Sequence, residues 1–141
     1  MSIVVVTGGF DPIHSGHLAL LKEAHSMGGI LIVGINSDEW LKRKKGKAFM
    51  SFYERASVLR AIRYVDMIME FDDSDNTAIN CIRQVREMFP KSKIIFANGG
   101  DRTKQNIPEM IDEFKDIEFV FGVGGEDKKN SSSWILKKWL E

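Results

Sequence analysis

Several features are scarce in this chain of 141 residues, and each scarcity excludes a class of protein. Cys81 is the only cysteine, so no disulfide can form within the chain, as expected in a reducing cytoplasm. No apolar run reaches the roughly 18 residues of a membrane-spanning helix, and the N-terminus lacks the basic start and cleavage site of a signal peptide. Lys plus Arg and Asp plus Glu number 20 each, without the basic surplus typical of nucleic-acid-binding proteins. We therefore expect a cytoplasmic protein whose partners include neither a membrane nor a nucleic acid.

Apolar runs that alternate with helical patterns predict an α/β fold. Residues 3–6 form an unbroken β-branched run, as expected for a strand that is buried on both faces of a sheet. The patterns predict strands at 3–6, 30–35, 67–69, 94–97 and 117–121, and helices at 15–27, 38–42, 51–63, 76–89, 108–114 and 131–140. Strands that alternate with helices build parallel sheets from βαβ units. We expect one domain, residues 1–141, in which helices cover both faces of a five-stranded parallel sheet.

The segment between the first strand and the first helix is the richest in functional groups. Thr7, Gly8 and Gly9 follow the strand, and glycine lets the backbone approach a ligand closely. The next helix offers free N–H groups and a positive partial charge, which suit phosphate. His14 and His17 lie three residues apart at its start, so both imidazoles can donate to phosphate oxygens from one side. A metal site, for which no third ligand lies nearby, and a pair of structural histidines are the alternatives.

Two other unusual loops, which begin at Asn98 and Gly122, also follow predicted strands. Ligands of parallel α/β sheets bind outside the carboxyl ends of the strands. We therefore expect the three loops to contribute to one site.

The segment 8–17, Gly-Gly-Phe-Asp-Pro-Ile-His-Ser-Gly-His, resembles the His-x-Gly-His signature of the cytidylyltransferase-like nucleotidyltransferase superfamily. Within it, the chain is most similar to glycerol-3-phosphate cytidylyltransferases, from about residue 5 to residue 66 and more loosely at 99–101 and 131–133. The resemblance implies a Rossmann-like sheet, a magnesium-bound nucleoside triphosphate, release of pyrophosphate and a homodimer. Catalysis would then consist of positioning and charge stabilisation, while an acceptor phosphate attacks the α-phosphorus.

The resemblance also assigns a role to the basic run at residues 42–47. Lys44 matches a lysine that closes over the triphosphate, and a flexible ammonium suits such a lid. The second lysine of the family corresponds to Gly46 here, so Lys45 or Lys47 is expected to replace it. A solvated basic loop at the end of a helix is the alternative.

Charged residues further along the chain also match the family. Arg55 is expected to help the phosphate site, and Arg63 with Asp66 to organise the dimer and the acceptor pocket; surface ion pairs are the alternative. Asp101 is expected to accept a hydrogen bond from the ribose or the base, with a capped turn as the alternative. Arg102, beside it, is expected to meet the acceptor phosphate.

The last loop departs from the glycerol-3-phosphate cytidylyltransferases. Their Arg-Thr-x-Gly-Ile-Ser-Thr-Thr segment corresponds to Glu-Asp-Lys-Lys-Asn-Ser-Ser-Ser at 126–133. Ser131 and Ser132 can still cap phosphate, but Lys128 or Lys129 would supply charge without the planar fork of an arginine. The acidic pair before the serines, the Lys-Gly pair in the basic run and the paired glycines at 99–100 are similar to heptose-1-phosphate adenylyltransferases. The nucleotide, CTP or ATP, is therefore left open.

The expected activity is transfer of a nucleotidyl group, with cytidylyl as the first choice, to a small phosphorylated alcohol such as glycerol 3-phosphate. The alternatives are an adenylyltransferase for a sugar 1-phosphate of the heptose type and a nucleotide-binding module without catalysis. The expected catalytic residues are His14, His17 and Lys44. The expected nucleotide-binding residues are Thr7, Gly8, Gly9, Phe10, Gly16, Gly100, Asp101, Asn130, Ser131 and Ser132. The expected substrate-binding residues are Asp11, Asp38, Arg55, Arg63, Asp66 and Arg102, and magnesium is expected to bind mainly through phosphate oxygens.

Overall fold

The computed structural model describes residues 1–100, 102, 107–125 and 131–141. Its strands are Ser2–Gly8 (β1), Ile30–Ile35 (β2), Met67–Glu70 (β3), Lys93–Ala97 (β4) and Glu118–Val120 (β5). Its helices are Ser15–Ser26 (α1), Asp38–Lys45 (α2), Phe52–Arg60 (α3), Ile79–Met88 (α4) and Ser132–Leu140 (α5). All strand pairs are parallel, in the order β3-β2-β1-β4-β5, which confirms the expected Rossmann-like sheet. No helix in this part of the chain is long and apolar enough to cross a membrane.

The central strand β1 separates two apolar clusters, one on each face of the sheet. Side chains alternate between the faces of a strand. Ile3 and Val5 are therefore buried in a cluster with Ile82 of α4, whereas Val4 and Val6 pack in a cluster with residues of α1 and α3. The starts of α1 and α4 accordingly reach the carboxyl edge of the sheet from opposite faces.

The helix α2 continues to Lys45, beyond the end predicted at Lys42. Ser37 caps its start, and the cations of its last turn interact favourably with the negative end of the helix dipole. Gly46 ends it with a φ of 93°, a conformation that glycine adopts at little cost. Lys44 therefore projects from a helix and not from a loop.

Three predicted helices are shorter in the structure by more than one residue, and the one predicted at 51–63 ends at Arg60. The helix predicted at 76–89 begins at Ile79, because Asn76 has a φ of 64° and forms a turn instead. The helix predicted at 108–114 is wrong, since only Asp112–Phe114 is helical, as a single 3-10 turn. The segment before this turn contributes a buried side chain to the start of α4, which is described below.

Candidate active site

The carboxyl ends of β1 and β2 form the floor of the candidate site. The Gly8 carbonyl accepts from the Asn36 N–H at 2.9 Å, so the two strands stay paired where the first loop departs. Phe10 turns the chain back with a φ of 53°, and its ring is buried. A β-carbon at Gly8 would lie 3.2 Å from the Phe10 ring, and one at Gly9 would lie 3.0 Å from Leu41 of α2. The loop is therefore tightly packed at both positions, and a β-carbon there would require the Phe10 or Leu41 side chain to shift by a few tenths of an ångström.

His14 and His17 stack on each other at the start of α1. Their ring centroids are 3.8 Å apart, with the planes inclined by 25°. His14 Nδ1 accepts from the Gly16 N–H at 3.1 Å, and His17 Nδ1 accepts from the His14 N–H at 3.2 Å. The pair is thus a capping box in which imidazoles replace the usual serine and glutamate. Because each Nδ1 is an acceptor, a neutral ring carries its proton on Nε2, where it can be donated.

The environment of His17 keeps its ring neutral. Burial is the larger cause and the neighbouring His14 the smaller one, and together they lower the pKa of His17 to about 3. Phe10 contributes to this burial, since its ring meets the His17 ring edge-on at a centroid distance of 4.9 Å. At neutral pH His17 is therefore a hydrogen-bond donor and not a cation.

We expect an NMR titration to show that the His17 imidazole stays neutral near pH 6.5, where an unperturbed histidine is half protonated. Its folded pKa of about 3 lies below the unfolded value. The unfolded state therefore binds more protons between these two values, and the stability that neutral His17 contributes is present above about pH 6.5 and lost as pH falls toward 3. The same resonance in urea-unfolded protein is the reference. Protonation of folded His17 near pH 6.5 would contradict the prediction.

Asp11 fastens the segment after α2 to the first loop. Its carboxylate, 1% exposed, accepts from the N–H groups of Phe49 at 2.7 Å and Met50 at 2.6 Å. Lys45 Nζ lies 3.1 Å from the same carboxylate and donates to the Asp11 carbonyl at 2.6 Å. Asp11, an expected substrate ligand, and Lys45, an expected lid lysine, are thus both engaged within the protein.

Arg55 joins three segments beneath the site. Its side chain is fully buried, with 0% exposure. The guanidinium donates to the carbonyls of Asn36 at 2.7 Å, Gly9 at 2.9 Å and Met50 at 3.0 Å. It also forms an ion pair with the half-exposed carboxylate of Asp38 at 2.6 Å. The structure therefore uses Arg55 and Asp38 to hold the loops, where the sequence predicted phosphate and substrate contacts.

A buried carboxylate that the sequence analysis missed supports the start of α2. Asp73 accepts from the Ser37 N–H at 2.8 Å, from Ser37 Oγ at 2.7 Å and from the side-chain amide of Asn36 at 3.0 Å. It is 4% exposed, so these donors replace its water. The only signal in the sequence is the polar run at residues 72–76, which is separated from the third predicted strand by two residues.

A cavity of about 290 Å³ lies beside α2 and is lined by Trp40, Arg43, Lys44 and Asn76. The Lys44 ammonium stands 4.6 Å from the centroid of the Trp40 indole. Arg43 is fixed at the wall, because it donates to Asn76 Oδ1 at 3.1 Å and to the Asp73 carbonyl at 2.9 Å. The cavity thus combines an aromatic face with two cations, which suits a polar, anionic ligand.

The charge around Lys44 involves residues that are distant in the sequence. Burial lowers the pKa of Lys44, and the charges of Lys45 and Arg102 lower it further. Arg102 follows β4 and pairs with Glu109 at 2.5 Å. Lys44 and Arg102, which the sequence analysis assigned to separate loops, therefore lie close enough in space to interact.

The start of α5 lies against the first loop. Ser132 Oγ donates to the Pro12 carbonyl at 2.8 Å. Ser131 is the N-cap of α5 and accepts from a backbone N–H of its first turn at 3.0 Å. The starts of α1 and α5, whose positive dipole ends suit phosphate, are thus brought together at one place. Asn130, the third residue predicted here, lies outside the described residues.

The loops after β4 and β5 pack against each other. The Asn98 N–H donates to the Val120 carbonyl at 2.8 Å, and the Val123 N–H donates to the Asn98 carbonyl at 3.1 Å. Gly100 follows with a φ of 61°. These contacts join the second and third loops of the sequence analysis, while Asp101 lies outside the described residues.

Arg63 and Asp66 lie near the amino ends of the strands, at the opposite end of the sheet from the candidate site. Asp66 Oδ2 accepts from the N–H of Leu31 at 2.8 Å, near the amino end of β2. This is about 13 Å from the carboxyl end of the strand, since each strand residue rises about 3.3 Å. Arg63 is exposed and donates to the hydroxyl of the adjacent tyrosine. The structure does not bring these two residues to the other predicted site residues, and their role in a homodimer stays a prediction.

The comparisons with known proteins agree with this geometry. The chain belongs to the cytidylyltransferase-like family of nucleotidyltransferases, whose model matches residues 5–138. Similar curated proteins include the bifunctional protein HldE of Geobacter sulfurreducens, 31% identical over 99% of this chain, and that of Campylobacter fetus, 34% identical over 86% of it. The chain spans 28% and 26% of the length of these two relatives.

Two solved structures share the fold. A lipopolysaccharide core biosynthesis protein from Thermoplasma volcanium superposes with a TM-score of 0.65 at 22% identity, over 90% of this chain and 99% of the other. The nicotinic acid mononucleotide adenylyltransferase of Plasmodium falciparum, complexed with NaAD, has a TM-score of 0.59 at 15% identity, over 96% of this chain and 82% of the other. At these identities the likeness concerns the fold alone.

Proposed function

We propose that this chain is an adenylyltransferase that transfers AMP from ATP to the phosphate of a sugar 1-phosphate. The observation that carries the proposal is the stacked pair of His14 and His17, whose Nδ1 atoms are both bound by the start of α1. The match to HldE proteins agrees with the heptose-type features of the sequence. It favours ATP and a sugar 1-phosphate over CTP and glycerol 3-phosphate, which was the first expectation.

In the proposed reaction, an anionic oxygen of the acceptor phosphate attacks the α-phosphorus of ATP. The bond from this phosphorus to the oxygen that bridges to the β-phosphate breaks, and pyrophosphate leaves with the electron pair. The product is a nucleoside-diphosphate sugar. Because the attacking oxygen is already anionic, the site needs donors and not a strong base. His17, held neutral, would donate from Nε2 to the charge that develops on the α-phosphate, together with His14 and the positive dipole ends of α1 and α5.

The acceptor is proposed to occupy the cavity beside α2. Its volume of about 290 Å³ is near the lower end of the range for small-molecule sites. Trp40 offers an indole face to the sugar ring, and Lys44 offers an ammonium to phosphate charge. Arg43 cannot move freely, because Asn76 and the Asp73 carbonyl hold its guanidinium.

Magnesium is proposed to enter with ATP, as part of the substrate. Over residues 1–100, 102, 107–125 and 131–141, no three His, Cys, Asp or Glu side chains are grouped to hold a metal ion. Mg²⁺ prefers oxygen ligands and keeps several waters, so the phosphates themselves suffice to bind it.

The test is a pyrophosphate-release panel that pairs ATP or CTP with heptose 1-phosphates, a hexose 1-phosphate and glycerol 3-phosphate. We expect release with ATP and a sugar 1-phosphate. Release with CTP and glycerol 3-phosphate would restore the cytidylyl expectation.

The loss of the family arginine before Ser131 favours a second candidate, a nucleotide-binding module. Binding of nucleotide with no release from any pair would support that candidate.

We expect Lys44→Ala to lower kcat/KM about 10-fold or more, because a charge-assisted contact to phosphate contributes about 1.5 to 3 kcal/mol. Steady-state kinetics with ATP and the best acceptor of the panel provide the measurement. Lys42→Ala is the matched control, since Lys42 is an exposed lysine in the last turn of the same helix and does not line the cavity. If the two variants had the same kcat/KM, Lys44 would not contribute to the site.

A further inference from the structure

Glu109 is a buried carboxylate that the proposed reaction does not use. The residue is 1% exposed, and its two oxygens contact different segments of the chain. Oε2 accepts from the N–H of Ala78, at the N-cap of α4, at 2.7 Å. Oε1 lies 2.5 Å from Nη2 of Arg102. Because a buried carboxylate is costly unless its partners compensate it, these contacts join Arg102 firmly to the start of α4.

Arg102 is held at the carboxyl edge of the sheet, and several of its guanidinium N–H groups are not used by Glu109. Its side chain is 35% exposed, and its guanidinium carbon stands 6.0 Å from the ring centroid of Phe96 in β4. A guanidinium has five N–H donors. Among the described residues it donates to Glu109 alone. The remaining donors are therefore available to an anion at this edge.

The position of Arg102 indicates which anion this is. Arg102 follows β4 at the carboxyl edge of the sheet, where ligands of parallel α/β sheets bind. Its charge also lowers the pKa of Lys44, after burial and the charge of Lys45. His14 and His17 belong to α1, on one face of the sheet, whereas Arg102 is tied to α4 on the other face. An anion at Arg102 is thus better placed to be the phosphate of the acceptor than the triphosphate of ATP.

We propose that Glu109 is a positioning residue, which holds the Arg102 guanidinium at the carboxyl edge of the sheet so that Arg102 binds the phosphate monoester of the acceptor. The proposal rests on the proposed function. A phosphate monoester has three non-bridging oxygens, and the planar fork of an arginine binds two of them. The third oxygen stays available to attack the α-phosphorus of ATP.

Steady-state kinetics test both roles. We expect Arg102→Ala to raise the KM of the sugar 1-phosphate about 10- to 100-fold, and Glu109→Gln to raise it about 3- to 10-fold, because a charge-assisted pair is lost. The KM of ATP is expected to stay within about 2-fold in both variants. The matched controls are Arg83→Ala and Glu113→Gln, which break an exposed arginine–glutamate pair of 2.7 Å between the same helix α4 and the 3-10 turn.

A binding measurement separates this proposal from the proposed reaction. The nucleotide site is filled with α,β-methylene-ATP, which cannot react at the α-phosphorus, and inorganic phosphate is then titrated by calorimetry. We expect the wild-type chain and both controls to bind phosphate and Arg102→Ala to lose this binding. Absence of pyrophosphate release would refute the reaction, while this titration would still decide the role of Arg102.

Two results would overturn the inference. One is an Arg102→Ala variant that weakens ATP as much as the acceptor, which would assign Arg102 to the nucleotide. The other is a Glu109→Gln variant with the same acceptor KM as Glu113→Gln, which would leave Glu109 a structural cap. Should Glu109→Gln fail to fold, Arg102→Lys still tests the inference, because it keeps a cation that can pair with Glu109 and removes the fork. An unchanged acceptor KM in Arg102→Lys would overturn the role of the fork.

Discussion

Replacement of His17 by alanine is expected to lower turnover about 100-fold or more, with a smaller change in the KM of ATP. The substitution removes an Nε2–H donor that burial keeps neutral and that the start of α1 keeps in one orientation. Removal of a donor that stabilises charge developing in the transition state lowers mainly kcat. Single-turnover pyrophosphate release with ATP and the best acceptor measures it.

The capping role of His17 requires its own control, because the ring also accepts from the His14 N–H. His17→Glu restores this cap, since glutamate is the usual residue at the position, but it supplies no donor. We expect His17→Glu to regain stability and to stay inactive. His25→Ala, on the exposed side of the same helix, is expected to leave turnover unchanged. Recovery of turnover in His17→Glu would show that His17 acts only through the helix.

Local patterns predicted most of the fold. Strand residues such as Val4 and Val5 are buried on both faces, so an unbroken β-branched run was a direct signal. The helix at 108–114 was predicted wrongly, since only Asp112–Phe114 is helical, and the Glu109 carboxylate of this segment accepts from the start of α4. That contact joins positions 31 residues apart, and no local pattern contains it.

The sequence predicted where the candidate site lies, but not which of its charged residues face a ligand and which hold the loops in place. The signature located the first loop, yet the carboxylate of Asp11 within it accepts hydrogen bonds from N–H groups 38 and 39 positions away. Asp73 and Arg55 likewise serve loops that are distant in sequence. Whether a charged side chain faces a ligand or a backbone depends on such long-range contacts, which spacing alone does not reveal. Sequence reasoning therefore identifies donors to phosphate better than it identifies the residues that hold them.

Replacement of Arg55 by methionine is expected to lower the free energy of unfolding by about 3 to 5 kcal/mol. The side chain is fully buried, and its loss would leave the carbonyls of Gly9, Asn36 and Met50 without their donor. Each unsatisfied buried acceptor costs about 1 to 3 kcal/mol, although the half-exposed Asp38 can recover water. Urea denaturation followed by circular dichroism measures the change.

Arg60→Met is the matched control for this prediction, since Arg60 is exposed at the end of the same helix and is expected to change stability by no more than about 0.5 kcal/mol. Arg55→Lys distinguishes support of the loops from direct phosphate binding. A lysine keeps the charge but cannot reach acceptors in three segments at once, so stability should fall even with ATP absent. If Arg55→Lys instead kept full stability and raised only the KM of ATP, Arg55 would be a phosphate ligand, as the sequence alone predicted. The carbonyls of Gly9 and Asn36 argue for the first outcome, because both belong to the loops that carry the histidine pair and α2.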